Sequence, residues 1–256
     1  MDSKHIFEQI TGLKPNKEIL KILNNTPYGE TNTPYGKTYK NNIKLSTSTI
    51  SKITNLAEMV SNHETSFFRD LEVYQIIKSM ILSNEMKIWS AGCSYGQEAY
   101  SLAMLNGNST KLQNFKIYAS DISKKAVMTA IKGNYSIYRK DEQKRLTLFS
   151  PIFSQELKKD NLNNLLISIP KNIKDNIHFF QHNLLTPPPL EKFDLIMCRN
   201  VLIYMNKEAR ELVFKNLERA IRAKGWLVMG SADPKPPKPW KMFSINNSIF
   251  WQYQNE

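Results

Sequence analysis

Residues 87–105, KIWSAGCSYGQEAYSLAML, constrain the fold of this chain more than any other stretch. An apolar run over 87–91 stops at small residues, turns through Gly92 and Gly96, and resumes with helical spacing over 97–105. Strand, glycine turn and helix in that order form the first unit of an open parallel sheet. Such a turn lies at the carboxyl end of the strands, where ligands bind. The glycines let the backbone approach a ligand closely, and the helix beginning near Gln97 offers unpaired N–H groups. The same residues also spell G-x-S-x-G, the signature of a hydrolase serine, which would make Ser94 a nucleophile. The upstream residues oppose that reading, being helical or unstructured where a hydrolase needs several strands. No HGGG-like oxyanion stretch precedes the turn, and the last histidines, His178 and His182, come before two or three further strands. The dinucleotide fingerprint fits no better, because G-x-G-x-x-G requires a third glycine at a fixed place.

The rest of the chain extends the alternation. Strands are expected over 115–119, 177–180, 193–198, 226–229 and 248–253. Helices are expected over 123–132 and about 207–223, the latter capped by Asn206. Leu71, Tyr74, Ile77 and Ile81 share one helical face, as do Ile50, Ile53, Leu56, Ala57 and Val60. Apolar strands alternating with helices predict an α/β fold with a mostly parallel sheet covered on both faces. Residues 134–176 break the alternation and read as an insertion, and DPKPPKPW (233–240) reads as a rigid surface loop. Residues 1–23 read as a short helical segment in pieces separated by Pro15. Residues 24–48 contain NTPYGET followed by NTPYGKT, turn chemistry in an Asn-, Thr- and Lys-rich context. They read as a flexible linker before a domain over 49–256, with a tyrosine-mediated docking element as the sharper alternative.

Composition narrows the function classes. A chain of 256 residues with 41% apolar content suffices for one such domain and a small extra piece. No apolar run approaches the ~18 residues of a membrane span. The first residues lack the pattern of a secretory signal, so cytoplasm is the expected location. Cys93 and Cys198 are the only cysteines, which excludes a disulfide framework. Without clustered histidines they make poor metal ligation and read as small buried side chains. The net charge is +12, from 35 basic and 23 acidic residues. A nucleic-acid binder concentrates such charge on one face among aromatic residues, whereas the 28 lysines here are scattered. A solvated lysine surface accounts for them, and an acidic partner would be steered by the same field.

Two acids sharpen the reading of the glycine turn. Asp121 ends the second strand in YASD, where a carboxylate can accept hydrogen bonds from both hydroxyls of a ribose. The alternative is a helix cap, since Ser123 and a helix follow. Glu98 lies in the first turn of the helix after Gly96, where it either complements the helix dipole or meets a positively charged ligand.

Five stretches carry a resemblance: HETSFFRD (63–70), WSAGCSYGQEAYSLAM (89–104), ASDIS (119–123), HNLL (182–185) and FDLIMCRNVLIYM (193–205). In order and approximate spacing they resemble the chemotaxis receptor methyltransferases, the CheR family, over about residues 61–230. The resemblance implies a class I methyltransferase (Rossmann-like) fold, mostly parallel with an antiparallel C-terminal strand. It implies transfer of a methyl group from S-adenosyl-L-methionine to glutamate side chains of chemoreceptors, leaving S-adenosyl-L-homocysteine. Thr65, Arg69, Glu98, Asp121, Asn183, Leu184, Arg199 and Asn200 are implied to bind the cofactor. Asp121 would act through the ribose, and Asn183 and Leu184 would lie beside the adenine. Arg69 and Tyr204 are implied nearest the transferred methyl as the catalytic residues. A chemoreceptor or other acidic protein is then the partner, with no metal, nucleic acid or membrane insertion. The chemistry suits that set. A glutamate of ordinary pKa, ~4.3, is already an anionic nucleophile and needs no general base. Catalysis then rests on in-line placement and exclusion of water. Arg69 would orient carboxylates by paired hydrogen bonds, and Tyr204 would donate one hydrogen bond.

The sequence departs from the family pattern in places. Gln97-Glu98-Ala99-Tyr100 stands for the usual Glu-Glu-Pro-Tyr and keeps the second acid. His63, beside Asn62, stands where an asparagine is common. The N-terminal helical domain, with its receptor-facing basic helix, is reduced to a short piece. Two alternatives therefore stand beside receptor methylation: the same fold acting on another protein or a small carboxylate, and a non-catalytic cofactor-binding regulatory module.

Overall fold

The computed structural model describes residues 3–24, 37–39, 43–45, 53, 56, 65–83, 86–105, 115–149, 158–188 and 192–254. At the front, helix α1 (Ser3–Thr11) buries Ile6, Phe7 and Ile10 and gives way at Gly12, φ 71°. Helix α2 (Lys17–Asn24) follows Pro15, with Asn16 Oδ1 accepting the Ile19 N–H at 2.9 Å. Strands β1 (Lys37–Tyr39) and β2 (Ile43–Leu45) pair as an antiparallel hairpin inside the stretch expected as a linker. Most of the NTPYG repeat lies outside the described residues, as do Asn62 and His63. Of the helical face expected over 50–60, only Ile53 and Leu56 lie within them.

From residue 65 the chain alternates as its periodicity predicts. Helix α3 (Leu71–Ser83), strand β3 (Met86–Ala91), helix α4 (Gln97–Met104), strand β4 (Phe115–Asp121) and helix α5 (Lys124–Lys132) come first. The segment read as an insertion holds β5 (Asn134–Ile137), α6 (Lys140–Phe149), β6 (Lys158–Lys159), β7 (Leu165–Ser168) and α7 (Lys171–Lys174). Its strands form a separate antiparallel sheet in the order β5-β7-β6. Then come β8 (Ile177–Gln181), β9 (Phe193–Cys198), a 3₁₀ turn (Leu202–Tyr204) and α8 (Lys207–Ala220). Strands β10 (Ile221–Met229), β11 (Trp240–Ile245) and β12 (Ser248–Tyr253) end the chain.

The main sheet has seven strands in the order β11-β12-β10-β9-β3-β4-β8. Strands β10, β9, β3, β4 and β8 are parallel, and β12 runs antiparallel to both its neighbours. This is the class I methyltransferase arrangement, a mostly parallel sheet with an antiparallel C-terminal strand. The pleat sends Ile88, Leu195, Met197 and Val228 to the face covered by α3 and α4. Trp89, Ile196, Cys198 and Leu227 go to the opposite face, where they pack with residues of α1, α2 and α8 and with Phe193 at the first position of β9. The N-terminal helices thus share a core with the sheet.

Two expectations need correction. The helix expected over 207–223 stops at Ala220, where Ile221 turns extended (φ −84°, ψ 150°) and pairs with Phe193. A β-branched side chain buried against a neighbouring strand outweighs the helical pattern, and the register shifts before Trp226 to absorb the extra residues. The surface loop expected over 233–240 ends one residue earlier, because Trp240 is buried and opens strand β11. That element is an edge strand whose only fully buried side chain is Trp240, so alternation leaves little trace in the sequence.

Candidate functional site

The glycine turn is fixed by close packing. Gly92 (φ 87°) and Gly96 (φ 92°) occupy the left-handed region. A Cβ on Gly92 would lie 2.5 Å from Val201 Cγ2, and one on Gly96 would lie 2.7 Å from Ala130 Cβ. The N–H groups of Gly92 and Cys93 both donate to Ser120 O, at 2.8 and 2.9 Å, joining the ends of β3 and β4. Ser94 donates its backbone N–H to Asp121 Oδ2 at 2.8 Å, and Asp121 Oδ1 accepts the Ser123 N–H at 2.9 Å. The helix cap is Ser123, whose hydroxyl accepts the Ala126 N–H at 3.0 Å. Asp121 instead ties the two strand ends together, with both carboxylate oxygens set at the carboxyl ends of β3 and β4.

A buried charge cluster lies beneath this turn. Glu98 Oε1 accepts from Ser90 Oγ at 2.7 Å, and Glu98 Oε2 lies 3.6 Å from Arg199 Nη1. Arg199 also pairs with Asp70 and donates to Arg69 O at 3.1 Å. Burial pushes the Glu98 pKa up, opposed by Arg199, Ser90 and Arg69. Burial pulls the Arg199 pKa down, but Tyr74, Glu98, Asp70 and Asp233 outweigh it, so the guanidinium stays charged.

Three segments complete the walls. The loop bearing Thr65 and Arg69 holds Phe68 and Asp70 at positive φ, 50° and 60°, a costly conformation for Phe. Its backbone is clamped from outside: Phe68 N–H donates to Ser101 Oγ at 2.9 Å, and Phe67 N–H to Glu142 Oε1 at 2.7 Å. Arg145 Nε donates to Phe67 O at 3.3 Å. At the end of β9, Asn200 sits at φ 58° and donates its N–H to Asp233 Oδ2, which also accepts the Gly230 N–H at 2.9 Å. The last wall comes from the N-terminus. Asn183 Nδ2 donates to Ile10 O at 2.6 Å, while Asn183 Oδ1 accepts the Leu185 N–H at 3.0 Å. Lys14 N–H donates to Tyr204 O at 3.1 Å, and Asn206 N–H to Gly12 O at 3.1 Å.

These segments enclose one cavity. Thr65, Arg69, Glu98, Asp121, Asn183, Leu184, Arg199, Asn200 and Tyr204, the residues singled out from the sequence, all line it. Thr11, Leu13, Ser66, Tyr74, His182, Val201, Ile203 and Met205 join them without having been anticipated in that role. Tyr74 was hidden by its place on an apolar helical face. His182 and Val201 lie inside the matching stretches and could have been found there. Thr11 and Leu13 carried no signal at all.

Ser94 also lines the cavity, but His182 Nε2 makes no hydrogen bond, so that nitrogen does not pair with Ser94 as a base. The His182 ring sits by Trp89 and Phe180, at 5.9 and 6.2 Å between centroids, and burial lowers its pKa to about 4. Cys93 and Cys198 are buried free thiols whose pKa burial drives up, which keeps them unreactive. Among the described residues no cluster of His, Cys, Asp or Glu could hold a metal, and no helix is long and apolar enough to cross a membrane.

The donor set fits S-adenosylmethionine. Charges of both signs, Glu98 against Arg69 and Arg199, stand ready for a zwitterionic amino-acid end, while Asp121 offers a carboxylate for a ribose. Arg199 Nε and His182 Nε2 are buried polar atoms left without partners in the wall.

Comparison with known proteins agrees. The model of the CheR methyltransferase, SAM-binding domain, matches residues 63–248. A chemotaxis protein methyltransferase of Listeria monocytogenes is 28% identical over 203 residues, 75% of this chain and 73% of its own. One of Borreliella burgdorferi is 30% identical over 213 residues, 76% of this chain and 72% of its own. An uncharacterized 104.1 kDa protein in the hypE 3′ region of Rhodobacter capsulatus is 27% identical over 210 residues. That match takes in 75% of this chain but spans only 21% of the relative. With its sheet order, its glycine turn over Asp121 and a family match across residues 63–248, the chain belongs to the CheR family of S-adenosylmethionine-dependent methyltransferases.

Proposed function

We propose that this protein transfers the methyl group of S-adenosylmethionine to glutamate carboxylates of a chemoreceptor, forming methyl esters. The supporting observation is that Arg69 and Tyr204 line the same cavity as Glu98, Asp121 and Arg199. When bound, the cofactor supplies a sulfonium methyl, whose positive charge and the acceptor's negative charge cancel on transfer. Glu98, steadied by Ser90, holds the ammonium of the amino-acid end, and Asp121 accepts from the ribose hydroxyls. Arg199 keeps Glu98 ionised against burial and anchors Asp70 and the Arg69 carbonyl, which fixes where the Arg69 side chain begins. Arg69 orients the incoming carboxylate with paired donors, and Tyr204 adds a single hydrogen bond. The clamped 65–70 loop and the 3₁₀ turn keep water from the reacting atoms. A base is not needed, since the acceptor glutamate is ionised at neutral pH.

The chemoreceptor is the partner by analogy with the named relatives, and a net charge of +12 favours approach of an acidic surface on the cytoplasmic side. Incubation with methyl-labelled cofactor and receptor-bearing membranes tests the reading. Base-labile label on receptor glutamates is expected. Label that is stable to base, or that appears on small molecules, overturns it and favours another acceptor.

A further inference from the structure

The hydroxyl of Tyr74 is a buried polar group of the cavity wall that methyl transfer itself does not engage. Tyr74 sits in the first turns of α3 with 0% exposure, and its ring packs edge-on against Phe68 at 5.4 Å. It lines the cavity, and Tyr74 Oη is buried without a hydrogen-bond partner. The Ser101 hydroxyl is near enough to pull against the raised Tyr74 pKa, but the two do not meet in hydrogen-bond geometry, and Ser101 Oγ is engaged elsewhere, donating to Gln97 O at 2.7 Å and accepting the Phe68 N–H at 2.9 Å. The surroundings are charged: after burial itself, Glu98 raises the Tyr74 pKa most and Arg199 opposes it, while Tyr74 is the largest upward influence on Arg199. Tyr74, Glu98 and Arg199 line the same cavity, which places the ring beside both members of the buried pair.

The wall there has more donors than acceptors. Tyr74 Oη–H and Arg199 Nε–H are both buried and unmatched, and a buried donor left unmade is costly unless something else completes it. Glu98 Oε2 faces Arg199 Nη1 at 3.6 Å, an ion pair too long to be a good hydrogen bond, so this oxygen can still accept. Two unmatched donors beside one available acceptor oxygen match an α-amino acid group, with a carboxylate on the donors and an ammonium on the acceptor. We propose that Tyr74 is a cofactor-binding residue, donating its hydroxyl to the carboxylate at the methionine end of S-adenosylmethionine alongside Arg199 Nε. This orients the cofactor, with the amino-acid end under Glu98 and the nucleoside towards Asp121, and it rests on the methyl-donor reading of the cavity.

Tyr74→Phe removes the hydroxyl and nothing else. Calorimetry compares wild type and variant on S-adenosylhomocysteine, which has the amino-acid end, and on methylthioadenosine, which lacks it. The expected result is about a tenfold loss of affinity for S-adenosylhomocysteine, about 1.4 kcal/mol, with methylthioadenosine binding unchanged. Equal affinity of both proteins for S-adenosylhomocysteine overturns the role of Tyr74 alone. Parallel loss of both ligands assigns Tyr74 to packing and overturns it too. Failure of the wild type to bind S-adenosylhomocysteine overturns the cofactor reading itself.

Discussion

At the scale of single residues, the site depends on keeping buried charges matched. Glu98 is held ionised by Arg199 and Ser90 against a burial penalty, so its charge is sensitive to pH. Its raised pKa means that it ionises above the ~4.3 of an exposed glutamate. Cofactor affinity should be full above the Glu98 pKa and fall as pH drops through it. Glu98→Gln should weaken S-adenosylhomocysteine binding by about 10–100-fold, a charged hydrogen bond being worth about 1.5–3 kcal/mol, and remove that acid limb. Calorimetry across pH checks both, and unchanged binding would take Glu98 out of the cofactor site. His182 makes a separate claim on stability. Its pKa is about 4 in the fold and 6.5 without it, so the unfolded chain binds the extra proton between those values. Acid therefore favours unfolding through this group as pH falls from 6.5 towards 4. In His182→Gln the loss of stability over that window should be smaller than in wild type, measured by urea titration at a series of pH values.

At the scale of elements, two loops are held in conformations their own residues resist. The 65–70 loop keeps Phe68 at φ 50° because α6 grips its backbone through Glu142 and Arg145 while α4 grips it through Ser101. Glu142→Ala leaves the buried Phe67 N–H without an acceptor, at a cost of about 1–3 kcal/mol. Hydrogen exchange over 65–70 should rise sharply in that variant while β3 and β4 stay protected; uniform protection would show that α6 is no clamp. The glycine turn is the second case. Gly92→Ala meets Val201 at 2.5 Å and keeps a φ of 87° that alanine resists. It should weaken cofactor binding and lower stability by about 1–3 kcal/mol. Adding Val201→Ala removes the clash but not the backbone strain, so it should recover only part of both losses.

At the scale of the whole molecule, the N-terminal helices are part of the wall. Phe7 is fully buried; Ile10 O of α1 accepts from the Asn183 side chain, and Gly12 and Lys14 in the α1–α2 junction bond to the Asn206 and Tyr204 backbone. Phe7→Ala should cost about 3–5 kcal/mol and lower the midpoint of one cooperative transition. Separate transitions for the two ends of the chain would instead mark residues 3–24 as an independent unit. How much was legible at this scale follows from burial. Strand 193–198 is apolar nearly throughout because both faces of the central sheet are covered, so its bounds were readable to the residue. Asn206 caps α8 as expected, accepting the Ala209 N–H at 2.9 Å. Edge strand β11 leaves no comparable pattern, and Ile221 reads as helical in the sequence because its pairing with Phe193 is not a local property.

The sequence by itself determined the local units and their order: a strand, a glycine turn, a helix, an acid ending the next strand, and the β9 motif. These follow from periodicities and turn chemistry that act over a few residues. Only the tertiary structure decided which side chains meet. Arg199 reaches Asp70 across 129 residues, Asn183 reaches Ile10 across 173, and Asp233 in a proline-rich loop fixes Asn200. Such pairings depend on strand order and on the face to which each pleat turns its side chains. Those are settled by packing of the whole sheet against its helices, not by any stretch read alone.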